Sequence, residues 1–307
     1  MRFICCHSGR VAGFAGVFLT MALFGALGAR AQAAPQDDTM PPPGPPPPAV
    51  FQNRIPADRM AFLSSYAGMT TREIRKDKRF KALMKEITPR TVYHYGRDMG
   101  LEATIEMMLD STPLPVEIRD GRFVTIGSHG GTYLSGRGFL WFDMQEGIGL
   151  GGVYFHPVNG EPTPTLAIFS RQLTDKELGI SQLPPDFQQD MERWSEMANL
   201  PPVTVRYFVP ENGRKYVLLH DEDYCGAAPG MPPPPADICQ QMNADAADAD
   251  MDGAYFMKES GNAANATAWR LQPDQMAWIG LRNRTCGAGL ACRIAFTRRR
   301  TRMLLTR

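Results

Sequence analysis

The chain has 307 residues, 43% of them hydrophobic, and its 33 basic and 32 acidic side chains leave a formal charge of +1. A charge so close to zero gives no global electrostatic footprint for nucleic acid. The length suits one large or two modest domains.

Arg2 and Arg10 lead into an almost wholly apolar run over residues 11–27, followed by Ala31-Gln32-Ala33. A positive start, an apolar stretch at the lower end of the spanning range and a small-x-small site predict a signal peptide over residues 1–33. Cys5 and Cys6 precede the apolar run instead of ending it, which argues against a lipoprotein. No later segment is apolar for long enough to span a bilayer. The mature chain is therefore expected to be periplasmic or secreted, without a membrane span after signal cleavage.

Residues 34–54 read as a proline-rich linker, because the tract MPPPGPPPP at 40–48 favours an extended spacer. The expected fold class is α+β: an antiparallel-sheet domain with flanking helices over 55–224, then a small disulfide-stapled helical domain over 225–307. Phe80, Leu83, Met84 and Ile87 repeat at helical spacing, as do Leu101, Ile105, Met108 and Leu109. Arg119-Asp120-Gly121-Arg122 predicts a turn between strands at 116–118 and 123–126. Further strands are expected at 139–142, 153–155 and 166–169. Pro184-Pro185-Asp186 starts a helix whose Phe187, Met191, Trp194 and Ala198 share a face. Val203, Val205, Tyr207 and Val209, a turn at Glu211-Asn212-Gly213 and a strand over Tyr216–Leu219 close the first domain.

A second proline tract, at 227–235, precedes the tail. There Leu271, Gln275, Trp278 and Arg282 align on one helical face, and residues 293–307 carry six arginines and no acid. Such a run is a solvated helix face or a contact for anionic peptidoglycan or lipid. Cys225, Cys239, Cys286 and Cys292 all fall in this last third. Four cysteines in an exported chain predict disulfide bonds, with three connectivities open.

The residues Leu271, Gln275, Ala277-Trp278-Ile279, Arg282, Cys286-Gly287 and Cys292, followed by Arg300 and Leu304, resemble the carboxy-terminal half of the LprI-type lysozyme inhibitor domain. Cys225 and Cys239 stand where that family has its first two cysteines, and Asp248, Met251 and Tyr255 match its Leu-Asp-x2-Leu-x3-Tyr helix, with Ala247 in place of the leucine. A fainter resemblance links residues 116–152 to the Ivy family of vertebrate-lysozyme inhibitors. That family presents a rigid Cys-Lys-Pro-His-Asp-Cys loop to its target, whereas this loop reads Ser128-His129-Gly130-Gly131-Thr132-Tyr133-Leu134-Ser135, without cysteines. The resemblances imply a binding protein of the cell envelope that sterically blocks the cleft of a lysozyme-type muramidase. The partner-binding residues expected on this basis are Ser128, His129, Gly130, Gly131, Thr132 and Tyr133 in the loop, with Arg282 and Arg300 in the tail.

A rival pattern occupies the same tail. Asp248, Asp250, Asp252, Gly253 and Glu259 fall at the fixed positions of a calcium loop, with Ala254 supplying its carbonyl. Calcium is thus the one cofactor the residues suggest, and a calcium-binding envelope protein is an alternative function. A structural, peptidoglycan-associated protein is another. Enzyme signals are weak: four histidines remain after the signal, His94 and His156 stand in aromatic contexts expected to pack, and no Gly-x-Ser-x-Gly or His-Glu-x2-His motif occurs.

Overall fold

The computed structural model describes residues 50–130, 136–155, 164–201, 203, 205–226, 232–262 and 268–306. The expected signal, 1–33, and most of the expected linker lie outside the described residues.

The chain joins the fold at Val50 and Phe51, both buried, with Gln52 N–H donating to the Gln172 carbonyl at 2.8 Å. Two short helices, α1 (Ala57–Met60) and α2 (Thr71–Ile74), lead to α3 (Lys78–Ile87) and α4 (Leu101–Asp110). Asp77 caps α3 by accepting the Arg79 backbone N–H at 2.8 Å, satisfying a donor that the helix start leaves open. The periodic apolar residues of α3 and α4 are all buried. Between these two helices lies a small antiparallel ribbon of β1 (Val92–His94) and β2 (Asp98–Gly100). His94 stands there exposed, hydrogen-bonded to Asp98, and not packed as its aromatic neighbours suggest.

An eight-stranded sheet follows. In chain order it contains β3 (Glu117–Arg119), β4 (Phe123–Gly127), β5 (Arg137–Asp143), β6 (Ile148–Phe155), β7 (Thr165–Phe169), β8 (Leu178–Gly179), β9 (Val205–Val209) and β10 (Tyr216–Leu219). The spatial order is β3-β4-β5-β6-β7-β9-β10-β8. The first five strands are antiparallel neighbours, while β7 pairs with β9 in parallel. Asp120 and Gly121 both have positive φ, which a tight hairpin between right-twisted strands requires. The parallel step needs a crossover, and α5 (Pro185–Met197) supplies it.

Alternate strand residues point to opposite faces, and both faces are covered. Val124, Ile126, Leu140, Phe142, Val153 and Phe155 meet α3 and α4 on one side. Phe139, Trp141 and Tyr154 meet Phe187, Met191 and Trp194 of α5 on the other. Beyond residue 225 the chain is helical: α6 (Ala236–Asn262), α7 (Ala268–Cys286) and α8 (Leu290–Thr306). Met251 and Ala254 of α6 and Leu304 of α8 belong to the same buried cluster as Val205, Tyr207 and Val217 of the sheet. The tail is thus a helical region that shares its core with the sheet. The fold is α+β, with antiparallel strands, flanking helices and a disulfide-bearing helical end.

Candidate partner-contact site

The segment joining β4 to β5 carries the contact residues expected from sequence. Ser128, His129 and Gly130 are described; Gly131, Thr132 and Tyr133 lie outside the described residues. Ser128 is buried and serves as an anchor, not a contact. Its N–H donates to the Gly138 carbonyl at 3.0 Å, and its Oγ accepts the Gly138 N–H at 3.0 Å. Its carbonyl accepts the indole N–H of Trp194 at 3.2 Å. His129 follows with its side chain exposed and its backbone held at both ends: the N–H donates to Thr112 at 3.0 Å, and the carbonyl accepts Arg137 Nε–H at 2.9 Å. The same Arg137 Nε–H reaches the Ala198 carbonyl at 3.1 Å, tying the loop to the end of α5. Gly130 has φ +78°, and a Cβ there would meet Arg137 at 2.9 Å, so the backbone must be glycine for Arg137 to lie across it. On the returning side, the Gly136 N–H donates to Tyr95 Oη at 2.6 Å.

Both stems of the loop are therefore fixed by side chains from elsewhere in the fold. Each such hydrogen bond contributes about 0.5–1.5 kcal/mol. Trp194 itself is held firmly. Its ring stacks on Phe139 with centroids 4.9 Å apart, and it lies so close to Gly127 that a Cβ there would fall 2.6 Å from the indole. The orientation of α5 is set by Asp190, 1% exposed, which accepts Trp141 Nε1–H at 2.9 Å, Arg119 Nε–H at 3.1 Å and Arg193 at 3.0 Å. Hydrogen bonding to Asp190, with further help from Asp186, holds the Arg119 guanidinium above its ordinary range against the effect of burial. Arg137 and Tyr95 carry no signal in the sequence, and Trp194 reads there only as one of the apolar residues on the face of α5. Gly127, an isolated glycine ending an apolar strand, is the signal that marks such a close approach.

The two tail arginines expected at a docking face are turned inward. Arg282 and Arg300 are 8% and 7% exposed. Arg282 donates to Asp248 at 2.7 Å and to Thr297 Oγ1 at 3.1 Å, while Arg293 takes the other Asp248 oxygen at 2.9 Å. Arg300 donates to Gln275 at 3.0 Å and to Asp274 at 2.6 Å. The Trp278 ring receives both guanidinium groups, at 5.1 Å and 5.7 Å. These groups hold α6, α7 and α8 together and are not available to a partner. The solvent-facing cations of α8 are Arg298, Arg299 and Arg302.

The calcium-loop expectation is also corrected. Residues 248–259 lie within the continuous helix α6. Successive helical positions turn by about 100°, so Asp250 points about 160° away from Asp248 and Asp252, which share a face, and the three cannot converge on one ion. Asp248 is held by the two arginines, and Asp250 accepts the His220 backbone N–H at 3.1 Å and Nδ1–H at 2.7 Å. Burial, then the neighbouring Asp248, raises the Asp252 carboxyl, with Arg282 opposing. Ala254 is buried on the sheet, and Glu259 is exposed. At Gly253 α6 lies close against the sheet, since a Cβ would fall 3.2 Å from Val205 and 3.3 Å from Val217. The glycine that fits the calcium pattern is there for packing. His220 is completed by Arg206, whose guanidinium meets Nε2, so the Asp250–His220–Arg206 chain clasps α6 to β10 and β9.

The cysteines pair as Cys225–Cys239 and Cys286–Cys292, with Cα atoms 5.0 Å and 5.4 Å apart. The first bridge ties the approach of the chain to the start of α6. The second closes the turn between α7 and α8, at Gly287, whose φ is +53°. Among the described residues no helix is long and apolar enough to cross a membrane. No family model matches the chain, and no curated protein or solved structure matches it at a significant level.

Proposed function

We propose that this chain is an exported binding protein that blocks a lysozyme-type muramidase by placing the 128–135 loop in the enzyme's saccharide cleft. The observation that carries the reading is the double anchoring of the loop, with His129 exposed between Ser128, held by Trp194, and the Arg137 guanidinium. A contact element with fixed stems binds with a smaller entropic penalty than a free one. The target class comes from the LprI-type and Ivy-type resemblances. Two disulfides and the lack of a membrane-crossing helix among the described residues are compatible with a periplasmic or extracellular setting.

Blocking is steric and makes or breaks no covalent bond. The test is the clearing of bacterial cell walls by a muramidase in the presence of increasing amounts of the purified protein. Inhibition near one equivalent is expected, and unchanged clearing at large excess would remove the reading.

A further inference from the structure

Residues 72–90, which run from α2 through α3, carry eight basic and three acidic side chains, an excess of five in a chain whose total is +1. Four of the chain's seven lysines, Lys76, Lys78, Lys81 and Lys85, fall within ten residues. Charges that meet this segment from outside do not cancel the excess. Arg59 pairs with Glu86, Asp110 pairs with Arg75, and Asp58 shares a cavity with Arg79; with all three counted, four positive charges remain. Glu73 closes on the Thr70 cap, and Asp77 is taken by Arg79. Arg72, Lys76, Lys78, Lys81 and Lys85 are exposed and form no ion pair among the described residues.

These charges do not serve the helix that carries them. Lys78, Lys81 and Lys85 stand in a row along about 10 Å of α3, on the side away from the buried Phe80, Leu83, Met84 and Ile87. Like charges at such helical spacings repel one another. Lys78 and Arg79 also occupy the first turn, where the helix dipole disfavours cations and where α3 has no acid. Residues that break local rules on a well-packed helix mark a surface kept for something other than folding. The exposed arginines of α8 are different, because Arg298 and Arg302 share their cavity with Glu177, Asp221 and Asp250, and Asp223 lies close to Arg298.

The type of cation narrows the partner. Recognition of a single carboxylate or phosphate calls for the planar fork of arginine, whereas lysine is a compact, hydrated point charge. A row of lysines on the convex side of a helix suits an extended anionic surface, where many headgroups attract it at once.

We propose that the outer face of α3, with Arg72 and Lys76 beside it, docks on a bilayer surface rich in phosphatidylglycerol, its lysines meeting headgroup phosphates without entering the hydrocarbon. The docking face is separate from the 128–135 loop and does not depend on the muramidase reading. The test is co-sedimentation of the protein from residue 34 onward, the expected product of signal cleavage, with vesicles of mixed phosphatidylglycerol and phosphatidylcholine and with vesicles of phosphatidylcholine alone. Binding to the anionic vesicles is expected to be at least about tenfold tighter, and to disappear at about 1 M salt, where the Debye length is about 3 Å. The exposed substitutions K78Q/K81Q/K85Q should weaken it at least about tenfold while cooperative unfolding persists. R298Q/R299Q/R302Q removes as much charge from α8 and should bind as the parent does. The proposal is overturned by equal binding to both kinds of vesicle, by binding that survives high salt, by a lysine variant that binds like the parent, or by equal loss in the two triple variants. Displacement by inorganic phosphate beyond that caused by chloride at equal ionic strength would assign the cations to a single-phosphate site, and would overturn it equally.

Discussion

Arg137 Nε–H is shared between the His129 carbonyl, at 2.9 Å, and the Ala198 carbonyl, at 3.1 Å. One buried side chain thereby fastens the 128–135 loop to the end of α5. Replacing Arg137 by Met keeps much of the apolar volume and removes the donor. Two carbonyls lose that donor, and about 1–3 kcal/mol of stability should go with each one left unsatisfied. Chemical denaturation measures the loss, and the same variant should inhibit muramidase less well at concentrations where it remains folded.

Asp248 is the hub of the tail, holding Arg282 and Arg293 at once. The variant D248A leaves the nearly buried Arg282 without its counter-ion. A loss of about 2–4 kcal/mol is expected, below the full penalty for a wholly buried pair because Asp248 is partly exposed. Because these carboxylates serve the helix bundle and not an ion, adding calcium or a chelator should leave the melting temperature of the parent protein unchanged. A calcium-dependent rise would restore the loop reading.

The disulfides make a definite statement about peptide maps. Digestion without reductant should yield linked peptides for Cys225–Cys239 and Cys286–Cys292 and none for the crossed pairs. The sequence separations are 14 and 6 residues. By loop-closure entropy the first bridge should stabilise by about 3 kcal/mol and the second by about 2 kcal/mol, measurable in the paired Cys→Ser variants.

Stability should fall in acid. Burial alone would raise the Asp143 carboxyl, but Arg122, at 2.8 Å and 2.7 Å, and the backbone N–H groups of Glu146 and Gln145 outweigh it and hold the group below its usual range. A carboxyl depressed in the folded state stabilises above its unfolded pKa of about 3.9 and loses that contribution as pH falls toward the folded value. The stability difference between the parent and D143N should therefore be constant near neutrality and shrink below about pH 4. Asp252 has the opposite sign. Its raised carboxyl opposes folding when ionised, so D252N should be more stable than the parent at pH 7, with the gain fading in acid. Urea titrations across pH separate the two.

The local elements were legible because their causes are local. The four apolar residues of α3, the four of α4 and the Asp120-Gly121 turn carry their own periodicity and backbone requirement, and the structure places them as that pattern predicts. The two-residue β8 carries no pattern at all, and its pairing depends on where β10 lies. The direction of the tail arginines was also hidden. Arg282 faces inward because Asp248 stands 34 residues earlier, and Arg300 because Asp274 and Gln275 meet it across the bundle. The calcium pattern matched residue by residue, yet helix formation prevailed, since Gly253 packs on Val205 and Val217 while Asp248 holds Arg282 and Arg293 and Asp250 holds His220. Between β4 and β5, the order Ser-His-Gly-Gly predicts a glycine-rich loop. The grip of Trp194 and Arg137, 66 and 61 residues from the groups they hold or answer to, needed the fold.

The most direct measurement compares muramidase inhibition by the intact protein with that of a variant whose residues 129–135 are replaced by a glycine-serine segment of equal length. Near-stoichiometric inhibition by the first, lost in the second while its cooperative unfolding persists, is the predicted result. Equal inhibition by both proteins, or none by the intact one at large excess, would contradict the assignment of this loop as the inhibitory contact.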